Sequence, residues 1–136
     1  MDANKFIFPI MVFKEGDKNL YSYPAKNSFG IVSKGGEKFY KKLTVIDSNG
    51  NVFKLKESRI LKVASFTTCL KYMQKMWEMD LSFETSGATS LPETKERVIE
   101  HISKNPKHWL ALDTLEGIKE KVLATNSFRE LFVIFK

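Results

Sequence analysis

The sequence predicts an α+β fold: an N-terminal antiparallel sheet of about five to seven strands, built from hairpins and a meander, followed by C-terminal helices packed on it. Three observations carry this. Asn49-Gly50 sits between two β-prone runs, a strong short-range hairpin signal. Trp77, Met79, Leu81 and Phe83 alternate strictly with Glu78, Asp80, Ser82 and Glu84, the period-2 pattern of a strand with one buried and one wet face. After Gly87, three segments share the capping form that opens a helix: Ser90-Leu-Pro-Glu93, Asp113-Thr-Leu-Glu116 and Ser127-Phe-Arg-Glu130. The sheet-rich part is placed at 5–84 and the helical part at 90–136, both in a single domain, 1–136.

The elements follow in order. Lys5 to Phe13 is apolar on both alternating sets, which suits a strand covered on two sides. Pro9 cannot donate to a ladder, so it marks an unpaired stretch or a bulge. Gly16-Asp17 makes a turn, and Leu20–Tyr23 and Phe29–Val32 are short strands separated by Pro24 and Asn27. Gly35-Gly36 breaks the chain again before the hairpin, Leu43 to Lys56. A type I′ turn closed by Ser48 and Asn51 pairs Ile46 with Phe53, Thr44 with Leu55, Val45 with Lys54 and Leu43 with Lys56. One face is then apolar, and the other mixes aliphatics with lysines. Arg59–Ser65 continues the meander. Between Phe66 and Met76, helical spacing of Leu70, Met73 and Met76 reads as a short helix or an irregular crossover. Val98, Ile99 and Ile102 define a helix face closed at Asn105-Pro106, and Leu115, Ile118, Val122 and Leu123 define a second. Leu131–Phe135 fits a helix or a strand.

With 43% apolar residues and 17 aromatics (11 Phe, 4 Tyr, 2 Trp) in 136 residues, the composition excludes a disordered tail and a collagen-like repeat. One cysteine cannot form an internal disulfide or a thiolate cluster, so the expected location is cytoplasmic. The longest early apolar run, Phe6 to Phe13, is far short of the roughly 20 residues of a membrane helix, and its flanks do not suit a signal peptide. The net charge of +6 lies entirely in the first half: residues 1–62 carry 12 Lys plus Arg against 6 Asp plus Glu, while 63–136 carry 10 of each. This sets the sign of a partner but not its kind.

No catalytic or cofactor motif is present. Cys69, His101 and His108 are the candidates for a nucleophile, base or metal ligand, yet neither HExxH nor CxxC occurs, and each reads as structural. Asp47-Ser-Asn-Gly lacks the later ligands of a calcium loop, and Gly35-Gly36 lacks the rest of a phosphate-binding motif. Glu78, Asp80 and Glu84 form a solvated strand face opposite the hairpin's cations. No cofactor and no metal are expected.

What remains is the second hairpin face. Leu43, Val45, Lys54 and Lys56, with Tyr40, Lys41, Lys42 and Arg59 nearby, combine apolar contact area with charges that steer an approach, as a protein interface does. Two plainer readings compete: lysine stems covering the aliphatics, or the C-terminal helices covering the face.

The strand opened by Phe8-Pro9-Ile10, the hairpin Lys38-Phe-Tyr-Lys-Lys-Leu-Thr-Val-Ile-Asp-Ser-Asn-Gly-Asn and the helix Leu91-Pro-Glu-Thr-Lys-Glu-Arg-Val-Ile-Glu-His-Ile together resemble small bacterial immunity-type proteins. The resemblance is one of layout. It implies a non-enzymatic, stoichiometric inhibitor that neutralises a cognate toxin domain without a cofactor. Immunity proteins against nucleases tend to be acidic and this chain is basic, so the toxin is expected to be acidic at its contact surface or not to be a nuclease. The alternative is a nucleic-acid-binding domain for single strands or RNA. There Phe39, Tyr40 or Phe53 would stack bases while Lys34, Lys38, Lys41, Lys42, Lys54 and Lys56 meet phosphates. No membrane partner is expected.

Overall fold

A computed structural model describes residues 5–27, 29–110 and 114–135. Six strands, β1 (Ile10–Lys14), β2 (Tyr21–Tyr23), β3 (Ile31–Val32), β4 (Leu43–Ile46), β5 (Asn51–Val63) and β6 (Trp77–Ala88), form one curled antiparallel sheet in the order β2-β1-β4-β5-β6-β3. Helix α1 (Phe66–Tyr72) lies between β5 and β6, and α2 (Leu91–Lys104), α3 (Pro106–Leu110), α4 (Leu115–Leu123) and α5 (Phe128–Val133) follow the sheet. The predicted α+β layout is thus present, and of the segment left between helix and strand, 131–135, residues 131–133 complete α5 and 134–135 form a turn.

Alternation along β1 divides the interior in two. Ile10 and Val12 join Phe6, Phe29, Val32, Tyr40, Leu43, Val45, Phe53, Leu81 and Phe83 on one face of the sheet. Met11 and Phe13 join Leu20, Ile46 and the apolar stripes of the C-terminal helices on the other. Successive strand residues point to opposite faces, so a strand covered on both sides reads apolar throughout, as this one does. On the first face the rings pack edge to face: Phe6 meets Phe83 at 4.9 Å between centroids, and Tyr23 meets Phe29 at 5.0 Å.

The hairpin is where the structure departs from the predicted pairing. The β4–β5 ladder joins Thr44 to Lys54, Val45 to Phe53 and Ile46 to Val52, one residue away from the type I′ register. In the loop only Gly50 takes a positive φ, 81°. The Asp47 N–H donates to Asn51 O at 3.0 Å, and the Gly50 N–H donates to Asp47 O at 3.0 Å. This is a three-residue connection, a turn followed by a left-handed glycine, in place of two residues both at positive φ. A Cβ at Gly50 would also lie 2.4 Å from Thr89 O, so position 50 is closed to other residues on two grounds. The one-residue shift turns Leu43 and Val45 inward.

β5 and β6 continue as a long ribbon beyond the end of β4, interrupted by three register shifts. The two shifts past Lys54, with Lys56, Arg59 and Lys62 along β5, are features that disfavour pairing of its open edge with another strand.

The helix starts are set by the residues the sequence marked. Ser90 and Ser127 cap α2 and α5, accepting from the Glu93 and Glu130 N–H groups at 3.3 and 3.1 Å. For α4 the cap is Thr114, accepting from Gly117 N–H at 3.0 Å; Asp113, the predicted first residue of that pattern, lies outside the described residues.

One buried tyrosine, Tyr40, and one half-buried, Tyr23, are expected to make stability sensitive to alkali. Burial pushes the Tyr23 phenol far above the usual range, with neighbouring Tyr40 adding to it. Burial also raises Tyr40, partly offset by the Gly30 N–H that its oxygen accepts at 2.7 Å. A phenol that holds its proton more tightly when folded adds stability below its unfolded pKa of about 10 and loses it as pH rises further. The urea midpoint is therefore expected to fall between pH 9 and pH 11, and to fall less in Tyr23→Phe. An identical fall in that variant would assign the loss to other groups.

Candidate partner-binding surfaces

The structure divides the predicted contact residues. Tyr40, Leu43 and Val45 are core residues, at 3%, 2% and 0% exposure, and so are corrected as contact candidates. The physical reason for the two aliphatics is the hairpin register. Tyr40 is drawn in by the turn Gly36–Phe39, its hydroxyl tied to Gly30 and its carbonyl accepting from Ser58 Oγ at 2.6 Å. Lys41, Lys42, Lys54, Lys56 and Arg59 are exposed. Arg59 is ion-paired to Asp80 at 3.0 Å, and Lys62 to Glu78 at 3.5 Å, so the carboxylates of β6 cancel part of the basic charge.

Lys54 pairs with Thr44 and therefore belongs to the face on which the helices pack, at the margin of α2. There it enters a cleft of about 530 Å³ whose opposite wall is α2, with Arg97, Glu100, His101 and Lys104. Lys42 stands at the same cleft with a φ of 53°, the left-handed region that a lysine seldom adopts. Arg97 lays its guanidinium across the Phe13 ring, 4.4 Å from the centroid. Desolvation there lowers its pKa, against the pull of Glu100, and a guanidinium starts so high that it stays charged. Glu100 is itself held by Lys104 at 2.9 Å, one turn on. Burial raises the nearby Asp17 carboxyl, but the Tyr21 hydroxyl, the Asn19 N–H, Lys14 and His101 together bring it below the ordinary range. Sequence reasoning found Lys42 and Lys54 but not Arg97, whose place depends on how α2 crosses Phe13.

A second surface was not anticipated at all. Of ten large apolar side chains left exposed among the described residues, six fall between positions 60 and 73: Ile60, Leu61, Val63, Phe66, Leu70 and Met73. Phe66, Leu70 and Met73 are 81%, 64% and 90% exposed, and their i, i+4, i+7 spacing sets them along one side of α1 and its C-cap. α1 is capped at both ends, Ser65 Oγ accepting from Thr68 N–H at 3.2 Å and Met73 N–H donating to Leu70 O at 3.1 Å. Between Glu57 and Glu78 the chain carries Arg59, Lys62, Lys71 and Lys75 and no carboxylate. Lys71 and Lys75 lie over the rings of Tyr72 and Trp77 at 5.6 and 5.5 Å. That absence of acid was the signal available in the sequence.

The remaining chemistry candidates have structural partners. Cys69 on α1 accepts from Met76 N–H at 3.4 Å, drawing the chain after α1 back toward it. His101 Nε2 donates to Lys18 O at 3.0 Å and His108 Nε2 bonds Asn19 Oδ1, so both rings hold the β1–β2 connection. Among the described residues no group of three His, Cys, Asp or Glu is placed to hold a metal, and no helix is long and apolar enough to cross a membrane. Comparison of the chain with protein-family models, with curated proteins and with solved structures finds no match.

Proposed function

We propose that this chain is a non-enzymatic protein-binding module that neutralises a toxin by stoichiometric binding, and that its partner presents an apolar hollow edged with carboxylates. One observation carries the reading. The end of the β5–β6 ribbon exposes Phe66, Leu70 and Met73 on a segment that also carries Lys71 and Lys75, while Arg59 and Lys62 are ion-paired to Asp80 and Glu78, and apolar patches of this kind mark interaction surfaces. Large apolar anchors supply most of the affinity at such a contact, and the surrounding charge steers the encounter. Self-association through the same patch would set like charges against each other. Nucleic-acid binding loses two of its three stacking groups, since Tyr40 and Phe53 are buried at 3% and 5% exposure.

The reading predicts a large secreted protein with a variable C-terminal domain encoded directly upstream, and the test is co-expression with that domain. Restored growth together with a 1:1 complex on size-exclusion chromatography is the expected result. Persistent toxicity with no complex would end the toxin-neutralising reading.

A further inference from the structure

The cleft between the β4–β5 hairpin and α2 has the makings of an anion site that the apolar tip does not explain. Lys14 Nζ is already engaged by the Phe39 and Lys41 carbonyls at 2.8 and 3.0 Å, and Lys104 by Glu100. The side chains of Lys42, Lys54 and Arg97 make no hydrogen bond or ion pair among the described residues. Three cations free of side-chain hydrogen bonds and ion pairs therefore line one hollow, Lys42 from just before β4, Lys54 from β5 and Arg97 from α2, its volume of about 530 Å³ within the usual range for a ligand site. Arg97 also has an aromatic support, its guanidinium carbon lying 4.4 Å from the Phe13 ring centroid, which leaves its N–H groups open to a planar anion. Lys42 occupies a backbone conformation that glycine would adopt without strain, yet a lysine stands there.

The anion is defined by what else lines the hollow. Glu15, Asp17 and Glu100 face the same space, and they oppose a dianionic phosphate or a polyanion more than a single carboxylate. A guanidinium fork matches a carboxylate with two parallel N–H donors, and flanking lysines complete its neutralisation. We propose that this cleft receives one carboxylate of an acidic peptide segment, clasped by Arg97 with Lys42 and Lys54. The proposal deepens the protein-binding reading, since it names a second contact that an acidic partner would make. Lys54 stands nine residues along β5 from the strand's end at Val63, roughly 30 Å at the rise of an extended strand.

The experiment is an NMR titration following the Arg97 side-chain Nε–Hε signal and the Lys42 and Lys54 amides. Four probes are used: acetyl-Gly-Glu-Glu-Gly-amide, acetyl-Gly-Gly-Ser-Gly as the free acid, the same peptide as the amide, and inorganic phosphate. Saturable shifts with one or both carboxylate probes, none with the uncharged amide, and weaker binding of phosphate are expected. The first two probes separate a side-chain carboxylate from a chain terminus. Arg97→Gln should weaken binding at least about tenfold, the scale of one charge-assisted hydrogen bond, with Lys54→Gln as a second variant at an exposed position. Absence of saturable shifts with both carboxylate probes, equal shifts with the amide, phosphate binding more tightly than either peptide, or full affinity retained by both variants would overturn the proposal. None of these outcomes depends on the toxin, so the cleft and the toxin-neutralising reading fail separately.

Discussion

Asp47→Ala is expected to lower the unfolding free energy by about 3–5 kcal/mol, since it removes a buried carboxylate and strands several donors at once. Asp47 is 1% exposed. Its Oδ1 accepts from the Asn49 and Asn51 N–H groups at 3.0 Å each. Its Oδ2 accepts from Asn51 Nδ2 at 3.3 Å and from the Ile7 N–H at 3.4 Å. The side chain therefore shapes the hairpin loop and fastens the segment preceding β1 to it. Asp47→Asn retains one oxygen and should cost less. Urea denaturation followed by circular dichroism measures both. A loss below about 1 kcal/mol for the alanine variant would mean that the loop is held by its backbone bonds alone.

The opposite profile is expected at the end of the ribbon. Replacing Phe66, Leu70 and Met73 together by serine removes side chains that are already in water, so stability should change by no more than about 1 kcal/mol. Affinity for the proposed toxin domain should fall by at least about 100-fold, because truncated anchors at an interface centre commonly cost about 2 kcal/mol or more each. Calorimetry of the complex and urea denaturation of the free chain read the two quantities separately. A large loss of stability would make these residues part of the interior, and unchanged affinity would move the contact elsewhere.

The sequence carried the existence of most elements better than their mutual placement. Ser90 and Ser127 act as caps because capping is settled within one turn of chain, and the alternation from Trp77 to Phe83 survives because a strand's periodicity is local. The hairpin was legible but its register was not. Asn-Gly suits a two-residue loop, while the Asp47 carboxylate favours a turn that leaves Gly50 alone at positive φ. One residue of difference exchanged the roles of Val45 and a solvent-facing position. Phe66, Leu70 and Met73 escaped for another reason: helical spacing of apolar residues looks the same whether the face meets a core or nothing. Their exposure follows from β5 and β6 outrunning β4, and no local pattern records the relative lengths of strands. Arg97 on Phe13 likewise depends on a crossing between elements far apart in the chain.

The alternation of β1 has an evolutionary corollary. Because Ile10 and Val12 serve one interior and Met11 and Phe13 the other, the two interiors meet along a shared backbone and have no buried side chain in common. Descendants of this chain can thus remodel the helical layer, and with it the wall that carries Arg97, while the aromatic half beneath the sheet is inherited unaltered.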